Sequence, residues 1–313
     1  MDLILAIVGL VLLIFAGDFL VRGAVVLSLK LGISALIVSL TVVAFGTSAP
    51  ELLIGVRAAV EDADGIVFGN VVGSNIANVL LVMGVPALLA TIRTQECETR
   101  RSYITMTGAT LLFIALCFMG PFQWWHGAIM LVALLAILFD TYRAARRSNA
   151  DKGDDFMDKL EDADPEMPGW KLVLFLALGL AGLPLGANLL IEGAQGIALK
   201  LGVSEAVIGL TLVAIGTSMP ELATTVMATL RGKADVVLGN VIGSNLFNLL
   251  AIMGITAFFG PLNVPQEFLS WDLWIMLLSS LLLIPFVLHW TNLNRWWGIG
   301  FVALYAGYIA HLV

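Results

Sequence analysis

The chain has 313 residues, of which 59% are hydrophobic and only 12% charged, with a mean hydropathy of +0.97. Soluble domains carry about twice that charge, so water is not the main solvent of this chain and an ordinary soluble domain is excluded. The net charge of −7 argues against nucleic acid as a partner.

Crossing a hydrocarbon layer of roughly 30 Å takes about 20 helical residues, and apolar runs of that order recur along the whole sequence. In chain order they predict helices near 3–29, 33–59, 66–90, 103–120 and 124–143, then 171–199, 204–229, 236–259, 270–290 and 296–312. The first is read as a span and not a cleaved leader, because no basic segment precedes its long apolar run. The runs are rich in Leu, Val, Ile and Ala throughout and do not alternate, which excludes a membrane barrel. Lipid admits only backbone that bonds within its own segment, so the expected fold class is all-α: a polytopic membrane protein of ten transmembrane helices. Trp124, Trp125, Trp170, Trp271, Trp290, Trp296 and Trp297 gather at span ends, as an aromatic belt does. Cys97 and Cys117 have no metal-ligand spacing and imply no disulfide. His126, His289 and His311 stand at helix ends and are assigned no chemistry.

Shifted by 170 residues, the sequence matches itself without a gap over 41–84 and 211–254, half of the positions being identical. Gly46-Thr47-Ser48-Ala49-Pro50-Glu51 falls on Gly216-Thr217-Ser218-Met219-Pro220-Glu221, and Gly73-Ser74-Asn75 with Asn78 on Gly243-Ser244-Asn245 with Asn248. The chain is thus one unit written twice: a five-helix repeat over 1–143, an acidic hinge loop over 144–170 and a second five-helix repeat over 171–313. Eight of the 23 acidic residues lie between Asp151 and Glu166, without the spaced pattern of a helix-loop-helix calcium site, so that loop is read as a solvated hinge. Five is odd, so the second repeat enters the membrane from the opposite side and the repeats are inverted.

Charge placement tests the inversion. Lys30, Arg93, Arg100, Arg101, Arg143, Arg146, Arg147, Arg231, Lys233 and Arg295 all follow odd-numbered helices. By the positive-inside rule those loops are cytoplasmic, both termini lie outside and 144–170 lies inside. An inverted pair with a midplane site that opens to either side is the architecture of alternating access.

Pro50 and Pro220 stand inside predicted helices, where each lacks an N–H and clashes with the carbonyl four residues earlier, so both helices must break or kink. Carbonyls freed within lipid need a partner, and a cation is one. Ala44, Thr47 and Ser48, with Ala214, Thr217 and Ser218, offer backbone or hydroxyl oxygens; Glu51 and Glu221 each share a helical face with the serine three residues before. Ser74 with Asn78, and Ser244 with Asn248, add hydroxyl and amide oxygens from the following helix. An all-oxygen set suits hard cations such as calcium, sodium or magnesium and fits zinc, copper or iron poorly. A carboxylate at a helix centre costs about 2.5–3.5 kcal/mol, a large share of a stability of roughly 5–15 kcal/mol, which favours function over accident. Two carboxylates balance one calcium ion or two sodium ions, so the ions compete for one site. Asp18 with Arg22 is read as a structural ion pair, and Asn70 with Asn240 as either packing groups or supports of the site.

Gly-Thr-Ser-x-Pro-Glu followed by Gly-Ser-Asn-x-x-Asn, twice, resembles the α-repeats of the sodium/calcium exchanger family. The resemblance covers about a third of the chain. It implies a ten-helix antiporter of the cell membrane in which Glu51 and Glu221 are central calcium ligands. Ala44, Thr47, Ser48, Ser74, Asn78 and their second-repeat partners would line flanking sodium sites. Calcium and sodium are then the transported partners, bound at the midplane; no cofactor and no obligatory protein partner are implied, and the chain is not an enzyme. Some members carry Asp where this sequence has Asn248, and the amide argues against potassium dependence. The large regulatory insertion of animal relatives is absent between the halves.

Other readings carry less weight. Proton coupling is the runner-up, but the Gly-Asn-x-x-Glu type motif of proton-coupled members is missing. A channel needs a continuous pore, usually from several subunits, and an intramembrane hydrolase needs a nucleophile or cofactor motif that is not present.

Overall fold

The computed structural model describes residues 1–151, 167–201 and 216–312, with side chains left out over 144–151. Most of the predicted hinge, the side chains of Arg146 and Arg147, Ala214 and the start of the second repeated motif lie outside the described structure. Eleven helices organise the rest: α1 Asp2–Leu31, α2 Ala35–Thr47, α3 Ala49–Val60 and α4 Asp64–Leu89, α5 Arg100–Cys117, α6 Trp124–Asp151, α7 Gly169–Lys200, α8 Met219–Leu230, α9 Ala234–Thr256 and α10 Phe268–Val287, and α11 Arg295–Leu312. Apart from two isolated bridges, the described residues contain no β-structure.

Each predicted span has a helix, although only Met219–Leu230 represents 204–229. Among the described residues fewer than ten helices are long and apolar enough to cross a bilayer unaided: six qualify, or seven when α2 and α3 count as one bent span. The shortfall has physical causes. α5 and α11 have 18 residues each, about 27 Å at 1.5 Å per residue, and each starts on arginine. The span over 33–59 is broken, as Pro50 requires: α2 and α3 meet at an angle of 46°.

α9 is buried along its whole apolar window and α4 over most of its own, whereas α1, α6 and α7 bury less than half of theirs. The repeated Gly-Ser-Asn helices therefore form the centre, and the outer helices show Leu, Ile and Phe outward, as on Ile7, Val11 and Phe15. Exposed Trp124, Trp170, Trp271, Trp290 and Trp296 fit the expected belt.

Contacts between the halves come in exchanged pairs. The long helices α1 and α7 pack antiparallel: a Cβ built on Gly23 meets Leu176 and one on Gly193 meets Ala6, while one on Gly9 meets Leu190 and one on Gly179 meets Leu20. Each second contact is the first with the halves swapped at the same 170-residue shift. Ile92 bridges Leu293 and Phe122 bridges Leu262; Gly298 abuts Gly84 and Gly127 abuts Gly254. Backbone conformation repeats too, with φ −85° and ψ 6° at Ser48 against −86° and 5° at Ser218, and left-handed φ of 55° at Asp62 against 65° at Gly232. Small residues let the backbones of α1 and α7 approach where no other side chain fits.

Asp18, near the middle of α1, pairs with Arg22 at 2.9 Å, as expected, and also with Arg231 at the end of α8. Cys97 and Cys117 are free and buried, and burial raises the thiol of Cys97, in the loop before α5, well above its ordinary range.

A Cβ on Gly9 would stand 2.4 Å from the Leu190 amide nitrogen, whereas nothing lies within 4 Å of one on Gly65. Gly9→Leu should therefore lose about 1–3 kcal/mol or more through overpacking, read as a fall of several degrees in the melting temperature of the detergent-solubilised protein. Gly65→Ala, in the first turn of α4, should leave it unchanged or raise it.

Candidate functional site

The break in each repeat puts the acidic residue in the first turn of the helix that follows: Glu51 in α3 and Glu221 in α8. An aligned helix carries partial positive charge at its N-terminus, which suits a carboxylate there. The carbonyl end of α2 faces the same break and suits a cation. Gly46 and Gly216 have Pro50 and Pro220 four residues on, so the usual N–H partner of their carbonyls is missing.

The two motifs meet. Ser48 of the first repeat donates its hydroxyl to Glu221 Oε1 at 3.1 Å, and Ser244 of α9 reaches the same oxygen at 3.5 Å. Thr47 Oγ1 lies 3.4 Å from Asn240 Oδ1 and 3.3 Å from the Ala44 carbonyl. That carbonyl also accepts the Ser48 N–H at 3.0 Å. Glu51 and Glu221 are each 1% exposed, and Ala44, Thr47, Ser48, Ser74, Asn78, Ser218, Ser244 and Asn248 are all buried. Thr217 is half-buried, and Ala214 lies outside the described residues.

Ion pairs among the described residues involve neither glutamate. Glu51 Oε2, Glu221 Oε2, Asn78 Oδ1, Asn248 Oδ1 and Ser218 Oγ are buried oxygens without a hydrogen-bond partner in the protein. Buried polar atoms are rarely left so, since each costs on the order of 1–3 kcal/mol. These five come from both repeats and from residues predicted as ligands, and all are hard donors; the hydroxyls of Thr99, Thr107 and Thr229 and His126 Nε2, which are not predicted ligands, are also unpartnered. Among the described residues no group of three or more His, Cys, Asp or Glu could hold a metal, so a transition-metal centre has no ligand set here.

Sequence reasoning left Asn70 and Asn240 between two roles, and the geometry gives both a supporting one. Asn70 Nδ2 donates to the Glu51 carbonyl at 2.9 Å, and Asn240 Nδ2 to the Glu221 carbonyl at 3.3 Å. Both bonds span 19 residues and tie the second helix of the motif to the backbone of its own acidic residue. Asn75 and Asn245, which sequence reasoning passed over, are also buried; their signal was recurrence within the repeated Gly-Ser-Asn triplet.

Known proteins resemble this chain over nearly its whole length. The family described as sodium/calcium exchanger protein matches residues 1–142 and 171–313. The sodium/calcium exchanger MaX1 of Methanosarcina acetivorans is 32% identical over 343 aligned residues, covering 99% of this chain and 98% of that protein. The inner membrane protein YrbG of Escherichia coli is 33% identical, covering 89% and 86%. Among solved structures, the sodium-calcium exchanger NCX_Mj, soaked with zero sodium and calcium, superposes with a TM-score of 0.83 at 31% identity, over 100% of this chain and 99% of that one. From the paired motifs that converge on Glu221 to these full-length likenesses, the observations agree that the chain belongs to the sodium/calcium exchanger family.

Proposed function

We propose that this protein moves calcium against sodium across a cell membrane by alternating access, with Glu51 and Glu221 as the central ligands of one shared site. The observation that carries the reading is the pair of buried glutamates, Glu221 accepting from Ser48 of the other repeat's motif and neither reached by the ion pairs among the described residues. One calcium ion or two sodium ions supply the same countercharge, so occupancy by one ion excludes the other and the gradients are coupled. Thr47, Ser48, Ser74 and Asn78, with Thr217, Ser218, Ser244 and Asn248, and the carbonyls of Ala44 and Ala214, supply neutral oxygens around the carboxylates. A family of transporters has no use for a cofactor or a catalytic nucleophile, and the chain is read as acting alone in the bilayer and not as an enzyme.

The ten spans form two inverted five-helix units, 1–143 and 171–313, joined by a cytoplasmic loop over 144–170. Support comes from the exchanged contacts. Antiparallel α1 and α7 touch through pairs that swap under the repeat shift, as a two-fold axis perpendicular to both requires, and for helices that cross the bilayer that axis lies in the membrane plane. The basic loops then place both termini outside.

Calcium uptake into vesicles loaded with sodium should require the outward sodium gradient; equal uptake on a proton gradient without sodium would replace this reading with proton exchange, and a potassium gradient should add nothing. Glu51→Gln or Glu221→Gln should reduce uptake to background, because each removes half of the countercharge. For orientation, Glu61→Cys should react with a membrane-impermeant maleimide on intact cells and Lys233→Cys only after permeabilisation, with little background since both native cysteines are buried. The reverse labelling pattern would invert the proposed topology.

A further inference from the structure

The Gly-Ser-Asn triplets contribute two asparagines, Asn75 and Asn245, that the ligand set does not use. Both are buried. Asn245 Nδ2 lies 3.4 Å from the Asn75 carbonyl oxygen and 3.8 Å from Met106 Sδ, and Asn245 Oδ1 accepts from Asn78 Nδ2 at 3.0 Å. A backbone carbonyl and a thioether can only accept. The amide of Asn245 therefore has one satisfactory orientation, NH2 toward Asn75 and Met106 and oxygen toward Asn78. That oxygen carries no proton, so Asn78 must turn its own NH2 to it. Asn78 Oδ1 is then left as a buried oxygen with no protein partner. A flipped Asn78 would set oxygen against oxygen and turn two N–H groups toward any cation.

The second repeat does not copy the arrangement. Asn75, the counterpart of Asn245, spends its Nδ2 on the Val71 carbonyl of its own helix at 2.7 Å. Asn248, the counterpart of Asn78, has neither Oδ1 nor Nδ2 bonded. One amide of the pair is thus held oxygen-first by a residue of the opposite repeat, and the other is not held.

We infer that Asn245 is a positioning residue for cation binding, which fixes Asn78 with its oxygen toward the ion and so gives the site one permanently oriented neutral ligand. The inference rests on the proposed reading of Asn78 as a ligand. A site whose charge is already balanced by two carboxylates depends on its neutral oxygens to complete the coordination of calcium, which takes six to eight. An amide free to rotate would satisfy that need only part of the time.

The test measures the calcium-induced rise in melting temperature of the detergent-solubilised protein, titrated with calcium chloride, beside the calcium dependence of sodium-driven uptake. Asn245→Ala should weaken calcium binding about tenfold or more, the range for groups that orient a ligand from behind, and should raise the KM for calcium in step with little change in maximal rate. Asn245→Leu fills the side-chain volume, keeps the test open if the alanine variant does not fold, and should behave alike. In a protein already carrying Asn78→Asp, whose carboxylate presents oxygen either way round, Asn245→Ala should have no further effect on calcium affinity. Unchanged calcium affinity in both single variants, or an equal loss in the Asn78→Asp background, overturns the positioning role while leaving the site in place. If calcium fails to raise the melting temperature of the unsubstituted protein, the site itself falls, and this inference with it.

Discussion

Two carboxylates are carried into the apolar centre of the molecule, and none of the ion pairs among the described residues reaches either of them. A charge in that setting costs several kcal/mol unless it is paired. Every other feature of the centre acts on that cost. The proline breaks put each glutamate at a helix N-terminus, where the backbone dipole favours negative charge. Ser48 and Ser244 donate to Glu221, and Asn70 and Asn240 hold the backbones that carry the two acids. The charge that remains unanswered is the charge a divalent ion or two monovalent ions would bring.

The halves of the molecule are related to one another by exchanged contacts, the relation on which the proposed alternating access depends. Exchanged contacts at α1 and α7, at the two loop bridges and at the Gly84 and Gly254 crossings mean that each half packs on the other as the other packs on it. At the α1–α7 seam glycines meet backbone beside packed Leu13, Leu20 and Leu183, while Asp18 ties α1 to Arg231 of α8. The symmetry is incomplete at the repeated asparagines: Asn78 is oriented by Asn245, but Asn248 has no such partner. Two chemically alike amides thus differ in their hydrogen bonding, a difference that identical sequence motifs would not lead one to expect.

Much of this was legible in the residues. Hydropathy and the absence of alternation gave a helical membrane protein; the 170-residue repeat marked the two motifs; Pro50 announced the 46° break, because a ring without an N–H has the same effect in any fold. The all-oxygen character of Ala44, Thr47, Ser48, Glu51, Ser74 and Asn78 and of their partners was a matter of residue type and helical spacing. The number of qualifying spans was less legible, since hydropathy counts a short helix such as α5 that starts on Arg100 and Arg101 and falls short alone. Asn245 was invisible as a positioning group because its partners, Asn75, Asn78 and Met106, are 139 to 170 residues away.

By itself, then, the sequence determined what depends on local chemistry: which segments are apolar, where the helices must break, and which side chains carry oxygen and charge. Only the tertiary structure decided which oxygens of the two repeats face one another, that Ser48 answers Glu221 across the halves, and which way the Asn78 amide points. Those choices are made by contacts between segments far apart in the chain, and an amide's orientation is fixed by the acceptors around it, not by its own position in a motif.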